Sequence, residues 1–197
     1  PEWQDTADTV HLFLQMAGKV KVERSPKRPQ WAHVRLYLVP DGLTTGLIPG
    51  DSSPFSILFT FRERQVEFIN GDGKKVNVPL EDGVSVAAFY GQFASALEQI
   101  GSPTLINVHP QAFYDPLEFD KDDKHHSYDK VAIRKWLENM LFAYGAMARY
   151  LTAFRCKVHY PAYYFGTMDL TCIVFSGEPA PFGKKDPVME KAFDERL

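Results

Sequence analysis

The stretch FSILFTFRERQVEFINGDGKKVNVPL, residues 55–80, decides the fold class of this chain. Its apolar side chains at Phe55, Ile57 and Phe59 alternate with other residues, as they do in a strand with one buried face. Two further runs repeat the alternation: Val66 with Phe68, and Val76 with Val78 and Leu80. The three runs together predict an antiparallel meander.

Turn and strand signals extend this pattern in both directions. The tetrapeptide NGDG, residues 70–73, is the strongest turn signal in the chain and predicts a tight reversal. Alternating apolar residues predict another strand from Trp31 to Val39. Short apolar runs predict a strand from Thr104 to Val108 and one or two buried strands from Tyr163 to Phe175.

Three other segments carry apolar residues at helical spacing. They run from Asp5 to Gly18, from Val84 to Ile100 and from Asp129 to Phe154. In the first segment we expect Asp5 to serve as the N-cap and Gly18 to end the helix.

Strands and helices in this order predict an α+β fold, in which an antiparallel meander sheet is covered by two or three helices. No repeat or linker interrupts the 197 residues, so we predict a single domain over residues 1–197. The tail after Gly177 is rich in Pro and Gly and is predicted to be irregular.

Composition excludes several classes of function. The net charge of −3 gives no overall attraction for nucleic acid or for an anionic membrane surface. No apolar run approaches the roughly 20 residues that a membrane span requires. The two cysteines, Cys156 and Cys172, are expected to be reduced and buried, which favours a cytoplasmic protein. No dinucleotide or ATP motif is present, so no cofactor is predicted, and the oligomeric state is left open.

A polar stripe on the first predicted helix is the best candidate site. Its members lie three or four residues apart: Gln4, Asp8, His11, Gln15 and Lys19. A solvent-facing helix would show the same stripe. In a site, His11 could act as acid or base, while Gln15 and Lys19 could bind a polar or anionic group.

Asp169 lies within an otherwise apolar stretch, where a buried carboxylate must be paired, hydrogen-bonded or protonated. It could be a structural anchor or the carboxylate that orients His11. Tyr37 and Tyr164 are possible walls of a shared pocket.

Two charged runs have solvated-loop interpretations. The acidic and histidine residues between Asp120 and Asp129 match neither the EF-hand pattern nor a recognisable zinc spacing, so no metal site is predicted. We expect a solvated loop that caps the following helix. The basic run from Lys19 to Arg28, next to Trp31, could bind phosphates, but a solvated loop or edge strand is favoured.

Several motifs resemble those of an uncharacterised bacterial family of unknown function, and they follow the family order along nearly the whole chain. The opening residues Trp3, Asp5, Thr6, Thr9, His11, Gln15 and the run Gly18-Lys19-Val20 match its W-x-D-T and H-x-x-x-Q-I-V-G-K-V pattern. The resemblance places His11, Gln15 and Lys19 on motif positions. The closing matches are Phe165-Gly166, Asp169-Leu170 and Phe175-Ser176-Gly177.

The chain also departs from that family pattern. A family histidine is replaced by Ala162, and Val174 and Glu178 stand where the family has arginines. The resemblance further implies a shortened C-terminus, because the family commonly continues beyond the position of Leu197.

These observations leave three hypotheses for function. The first is a domain that binds a small polar or anionic molecule in an aromatic-lined pocket. The second is a hydrolase or isomerase with His11 as base and Asp169 as its partner. The third is a non-enzymatic interaction domain with an exposed aromatic surface.

Overall fold

The predicted meander forms the larger of two sheets. The structure is a computed structural model that describes residues 3–178. Five antiparallel strands follow one another in sequence order, which confirms the α+β fold with a meander sheet. They are β1 (Tyr37–Val39), β2 (Gly42–Thr44), β3 (Phe55–Thr60), β4 (Gln65–Asn70) and β5 (Lys75–Pro79).

Local chemistry sets the reversal between β4 and β5. The side-chain carbonyl of Asn70 accepts hydrogen bonds from the backbone N–H groups of Asp72 (3.1 Å) and Lys74 (2.9 Å). Gly73 adopts φ +83°, a conformation that favours glycine. The alternating side chains of β3 then put Phe55, which is buried, on the core face.

A second, two-stranded antiparallel sheet is formed by β6 (Val158–Tyr164) and β7 (Asp169–Val174). It meets the meander through one bridge between Leu36 and Tyr163, whose backbone groups exchange hydrogen bonds of 2.9 and 2.8 Å. Buried residues of both sheets belong to the same hydrophobic cluster.

Two strand predictions are wrong. Of the segment from Trp31 to Val39, only β1 is a strand; Pro29–Trp31 is a 3-10 turn in which Gln30 has φ 54° and Trp31 has φ 53°, which an extended strand does not allow. Residues 104–108 form no strand. The segment makes hydrogen bonds outside any sheet instead, for example the 3.0 Å bond from Phe119 N–H to the Val108 carbonyl.

The first helix, α1 (Gln4–Arg24), is longer than its sequence signals predict. Asp5 is inside the helix and is not its N-cap; Trp3 holds the cap position without a side-chain hydrogen bond. Gly18 does not end the helix, which continues to Arg24. Its missing side chain instead leaves room for the ring of Phe165, which packs against the helix backbone there. Every residue from Thr9 to Lys21 is buried, so α1 is a central helix.

The other two helices follow their capping signals. Ser85 caps α2 (Val86–Gln99) by accepting from Ala88 N–H, and Gly101 follows the helix with φ +77°. Asp129 caps α3 (Lys130–Leu151) by accepting from the N–H groups of Val131 (2.8 Å) and Ala132 (3.2 Å). Both helices begin within two residues of the predicted positions.

One hydrophobic cluster joins these layers. It unites α1, the meander, α2, the first half of α3 and β6 around a set of buried aromatic rings. The Phe13 and Phe89 rings stack with their centroids 3.8 Å apart. Cys156 is exposed and Cys172 is half-buried, so the expected burial of the thiols is wrong for Cys156; both are free cysteines.

Among residues 3–178, no helix is both long and apolar enough to cross a membrane. The prediction of an irregular tail concerns residues that lie outside those described, apart from Glu178.

Replacing Gly18 tests the close packing of α1. A Cβ at this position would lie 2.0 Å from Cδ1 of Phe165, so we expect Gly18→Ala to destabilise the protein by about 1–3 kcal/mol. The matched control is Gly145→Ala in α3, where a Cβ would meet nothing within 4 Å; it should stabilise by about 0.5–1 kcal/mol. Urea unfolding of both variants measures the difference, and equal stabilisation by the two would contradict the packing.

Candidate functional site

The polar side of α1 faces inward and binds segments that lack regular secondary structure. Near its start, Thr6 Oγ1 accepts from Asp129 N–H (3.0 Å) and lies 2.9 Å from Ser127 Oγ. One turn later, Thr9 Oγ1 accepts from Ser127 N–H at 3.2 Å. The two threonines thus fix the end of the segment that leads into α3.

Gln15 makes a two-point clamp on the backbone of Gln111. Its Oε1 accepts from Gln111 N–H (2.7 Å) and its Nε2 donates to the Gln111 carbonyl (2.9 Å). The side chain is fully buried. Both polar groups of Gln15 are therefore occupied in holding the chain, rather than free to bind a ligand as the sequence predicted.

His11 is buried but lies at the edge of a cleft. Its Nε2 lies 2.9 Å from the Phe165 carbonyl and 3.0 Å from Gln15 Nε2. With a proton on Nε2 the ring donates to Phe165, and without it the ring accepts from Gln15, so Nε2 is engaged within the protein in either tautomer. Burial lowers the pKa of His11, outweighing the Phe165 and Gly166 carbonyls, which raise it. The imidazole is therefore held mainly in its neutral form near pH 7.

Lys19 is likewise committed to the backbone. Its Nζ donates to the His109 carbonyl at 2.8 Å and lies 5.8 Å from the centroid of the Phe119 ring. Burial lowers its pKa. Lys19 is not among the residues that line the cleft at His11, so its predicted role as a ligand contact there does not fit the structure.

Asp169 does not have the predicted buried position. It is exposed at the first residue of β7, and the contacts of the His11 ring are with Phe165 and Gln15. Its charge acts on Tyr163, whose pKa is raised well above the ordinary value, first by burial and then by Asp169. The predicted pairing of His11 with Asp169 is wrong because β7 belongs to the outer two-stranded sheet and carries this carboxylate into solvent.

The two predicted wall residues lie elsewhere. Lys21 Nζ sits 4.8 Å from the centroid of the Tyr37 ring, and Tyr164 Oη donates to the Gln30 carbonyl at 3.4 Å. Neither tyrosine lines the His11 cleft. The six predicted site residues are therefore not brought into one hollow, although His11 and Gln15 are adjacent.

The cleft itself has a volume of about 660 Å³ and lies between the first half of α1 and the segment 112–127. One wall is helical and the other is irregular chain held in place by the α1 hydrogen bonds. The wall from α1 contains Gln4, Asp5, Asp8, Thr9 and His11, and the other contains Ala112, Phe113, Tyr114, Asp115, Lys124, His125, His126 and Ser127.

An Asp–His pair in the second wall was missed by the sequence analysis. Asp122 is fully buried, and its Oδ2 lies 2.8 Å from Nδ1 of His125. Its Oδ1 accepts from the N–H groups of Lys124 and His125, both at 3.1 Å. The expected helix cap at Asp129 is confirmed, but Asp122 is buried within a loop whose neighbouring residues 121, 123 and 124 are exposed, so the expected solvation is wrong for this carboxylate. A carboxylate three residues before a histidine was the available signal.

Phe113 connects the two histidines of the cleft. Its ring centroid lies 5.7 Å from that of His11 and 5.3 Å from that of His125, to which it is perpendicular. Two imidazoles, one from each wall, therefore pack against the same half-buried aromatic ring. Within residues 3–178, no group of three or more His, Cys, Asp or Glu side chains is arranged to hold a metal ion.

Fold and cleft together define an α+β protein with a polar cleft beside a buried central helix. The model of a family described as "Family of unknown function (DUF5996)" matches residues 1–197, and the chain belongs to this family. No curated protein and no solved structure matches the chain.

Removing the Gln15 amide tests the clamp on residue 111. Gln15→Met keeps a side chain of similar length but leaves the Gln111 N–H and carbonyl without their partners, so we expect a loss of about 1–3 kcal/mol of stability. Gln99→Met, at an exposed position of α2, is the control and should change stability by less than about 0.5 kcal/mol. Equal effects in urea unfolding would show that the clamp contributes nothing.

The pH dependence of stability tests the burial of His11. Since its folded-state pKa lies below the ordinary value of 6.5, the unfolded chain binds the proton more readily. The contribution of His11 to the free energy of unfolding should be fully present above about pH 6.5 and should decrease as the pH falls from there towards the folded-state pKa. His33 and His159, whose pKa is also lowered by burial, add to this slope.

His11→Gln should flatten the slope in this window, as measured by urea unfolding at a series of pH values. Gly145→Ala, which changes no titrating group, should shift the whole curve and keep its slope. A His11→Gln curve as steep as that of the wild type would contradict the assignment.

Proposed function

We propose that this protein binds a small polar molecule in the cleft between α1 and residues 112–127. The observation that carries the proposal is that His11 and His125, one from each wall of the cleft, both contact the ring of Phe113. Each imidazole is held by the protein at one nitrogen, through Phe165 or Gln15 in one case and Asp122 in the other. The second nitrogen of each ring is then the group with which a ligand can form a hydrogen bond.

The charges of the cleft favour a neutral or cationic ligand. Among the described residues that line it are Asp5, Asp8 and Asp115, against one Lys, Lys124, and no Arg. That ammonium already lies 3.2 Å from the Asp115 carboxylate. Carboxylates in excess repel an anion and attract hydroxyl and amino groups. Of the polar or anionic ligands expected from the sequence, we therefore favour the polar ones for this cleft.

A second candidate function, acid–base catalysis, is favoured by the Asp122–His125 pair. A buried carboxylate on Nδ1 fixes the orientation and tautomer of an imidazole and stabilises its protonated form. Neutral His125 would take a proton from the substrate or from water at Nε2, becoming an imidazolium, and return it to the product. A hydrolase or isomerase would then use Asp122, in place of the exposed Asp169, as the partner of its histidine.

We further propose a cytoplasmic setting with no nucleic-acid partner. Cys156 and Cys172 are both free, which suits a reducing compartment. The chain carries a net charge of −3, which provides no overall attraction for a polyanion.

Binding can be tested by titrating the ¹⁵N-labelled protein with individual polyols, amino acids, amines and nucleosides. Binders should shift the amide resonances of α1 and residues 112–127. In calorimetry, His125→Ala should weaken the affinity for these binders about tenfold or more. His109→Ala is the control, because this exposed histidine lies outside the cleft. Binders that have the same affinity for both variants, or that shift only amide resonances distant from the cleft, would refute the assignment.

The enzymatic candidate makes a separate prediction. For any polar binder that the wild type converts, Asp122→Asn should reduce kcat about 10²-fold or more with little change in KM, because the carboxylate acts on the imidazolium rather than on the substrate. Asp120→Asn, at an exposed position outside the cleft, is the control. Conversion that survives Asp122→Asn would exclude this role for the pair.

A further inference from the structure

A second pocket, separate from the His11 cleft, opens beside the C-terminal half of α1. Its volume is about 370 Å³, at the small end of the range for small-molecule sites. It lies between α1, the chain after it and the loop that follows β2. Its polar and aromatic lining residues are Lys21, Ser25, Arg28, His33, Tyr37 and Thr45.

Lys21 is a buried cation in this pocket whose hydrogen-bond acceptors are all neutral. Lys21 as a whole residue is only 4% exposed, and its Nζ donates to the carbonyls of Arg35 and Thr45, both at 2.6 Å. An ammonium has three N–H donors, so these two bonds leave one without an oxygen acceptor among the described residues. Nζ also lies 4.8 Å from the centroid of the Tyr37 ring. Buried charges are normally paired with an opposite charge. The neighbouring Arg24 shows the usual arrangement, because its guanidinium binds the Asp51 carboxylate at 2.6 Å.

The other charges near Lys21 are positive as well. Burial, then Arg35, then Arg28, lower the pKa of Lys21 to about 8. Lys21 and Arg28 also act on His33, whose pKa is lowered mainly by burial. None of the described residues that line the pocket is acidic. The pocket therefore concentrates positive charge, and its described lining residues supply no carboxylate to balance it.

We propose that this pocket binds the phosphate group of a small phosphorylated molecule. Lys21 and Arg28 together supply two positive charges, which match a phosphate dianion better than a singly charged carboxylate. The remaining donor of Lys21 and the forked donors of Arg28 suit its oxygens, and the half-buried Tyr37 ring, which also contacts the Lys21 ammonium, gives the rest of the molecule an aromatic wall. The proposal is independent of the ligand in the His11 cleft, since the two sites share no lining residue.

A competing surface provides the matched control. Arg62, Arg64, Lys130 and Arg134 line a depression of about 410 Å³ between the β3–β4 turn and the start of α3. It holds more cations than the Lys21 pocket. Its arginines lie at exposed positions, whereas Lys21 is buried. Binding by charge alone would therefore occur there at least as well.

The test is titration of ¹⁵N-labelled protein with phenyl phosphate and with inorganic phosphate at constant ionic strength. We expect the amides of residues 21–28, 33 and 45–47 to shift with a dissociation constant of about 1 mM or below. Phenyl phosphate should bind more tightly than inorganic phosphate because of Tyr37. Arg28→Gln should weaken both at least fivefold, whereas Arg134→Gln should leave both unchanged.

Lys21→Met removes the buried cation and should abolish binding; should that variant fail to fold, Arg28→Gln still decides. Shifts confined to residues 61–64 and 130–134, equal weakening by Arg28→Gln and Arg134→Gln, or no saturable binding of either probe would each overturn the proposal.

Discussion

A buried polar group must find a hydrogen-bond partner, and this requirement governs the arrangement around α1. The helix is buried on its polar side as well as on its apolar side. From Thr9 to Lys21 its polar side chains are buried, so they bind backbone groups of segments that have no sheet or helix partners of their own. Gln15 with Gln111, and Lys19 with His109, are the clearest cases. The helix therefore acts as the template on which the irregular chain is ordered.

The cleft is a consequence of this arrangement. Its second wall is irregular chain, and such chain is normally mobile unless its backbone is fixed. Here Thr9 holds Ser127 from one side. From the other side, the start of α2 holds the segment, because Val86 N–H donates to the His125 carbonyl and Ala87 N–H to that of Asp122. The site thus obtains a fixed position for His125 in irregular chain, whereas His11 is positioned by α1 itself.

The meander, α2 and α3 could be predicted because their signals are local: alternation in β3, turn residues after β4, and the Ser85 and Asp129 caps. The inward direction of His11, Gln15 and Lys19 could not, since the backbone groups that they bind lie between 90 and 154 residues away in the chain. A prediction from amphipathic patterning assumes that one face of the helix is exposed to solvent, and α1 has no such face from Thr9 to Lys21. The burial of Asp122 likewise depends on packing against α2, which its own neighbours in sequence do not reveal.

Amide hydrogen exchange at Gln111 tests this account most directly. The residue is exposed and lies in irregular chain, yet its N–H donates to the buried Oε1 of Gln15 at 2.7 Å. We predict slow exchange of the Gln111 amide in the wild type, compared with that of exposed Tyr114 in the same segment, and loss of this protection in Gln15→Met. A Gln111 amide that exchanges as fast as that of Tyr114 in the wild type would contradict the claim that α1 orders this wall of the cleft.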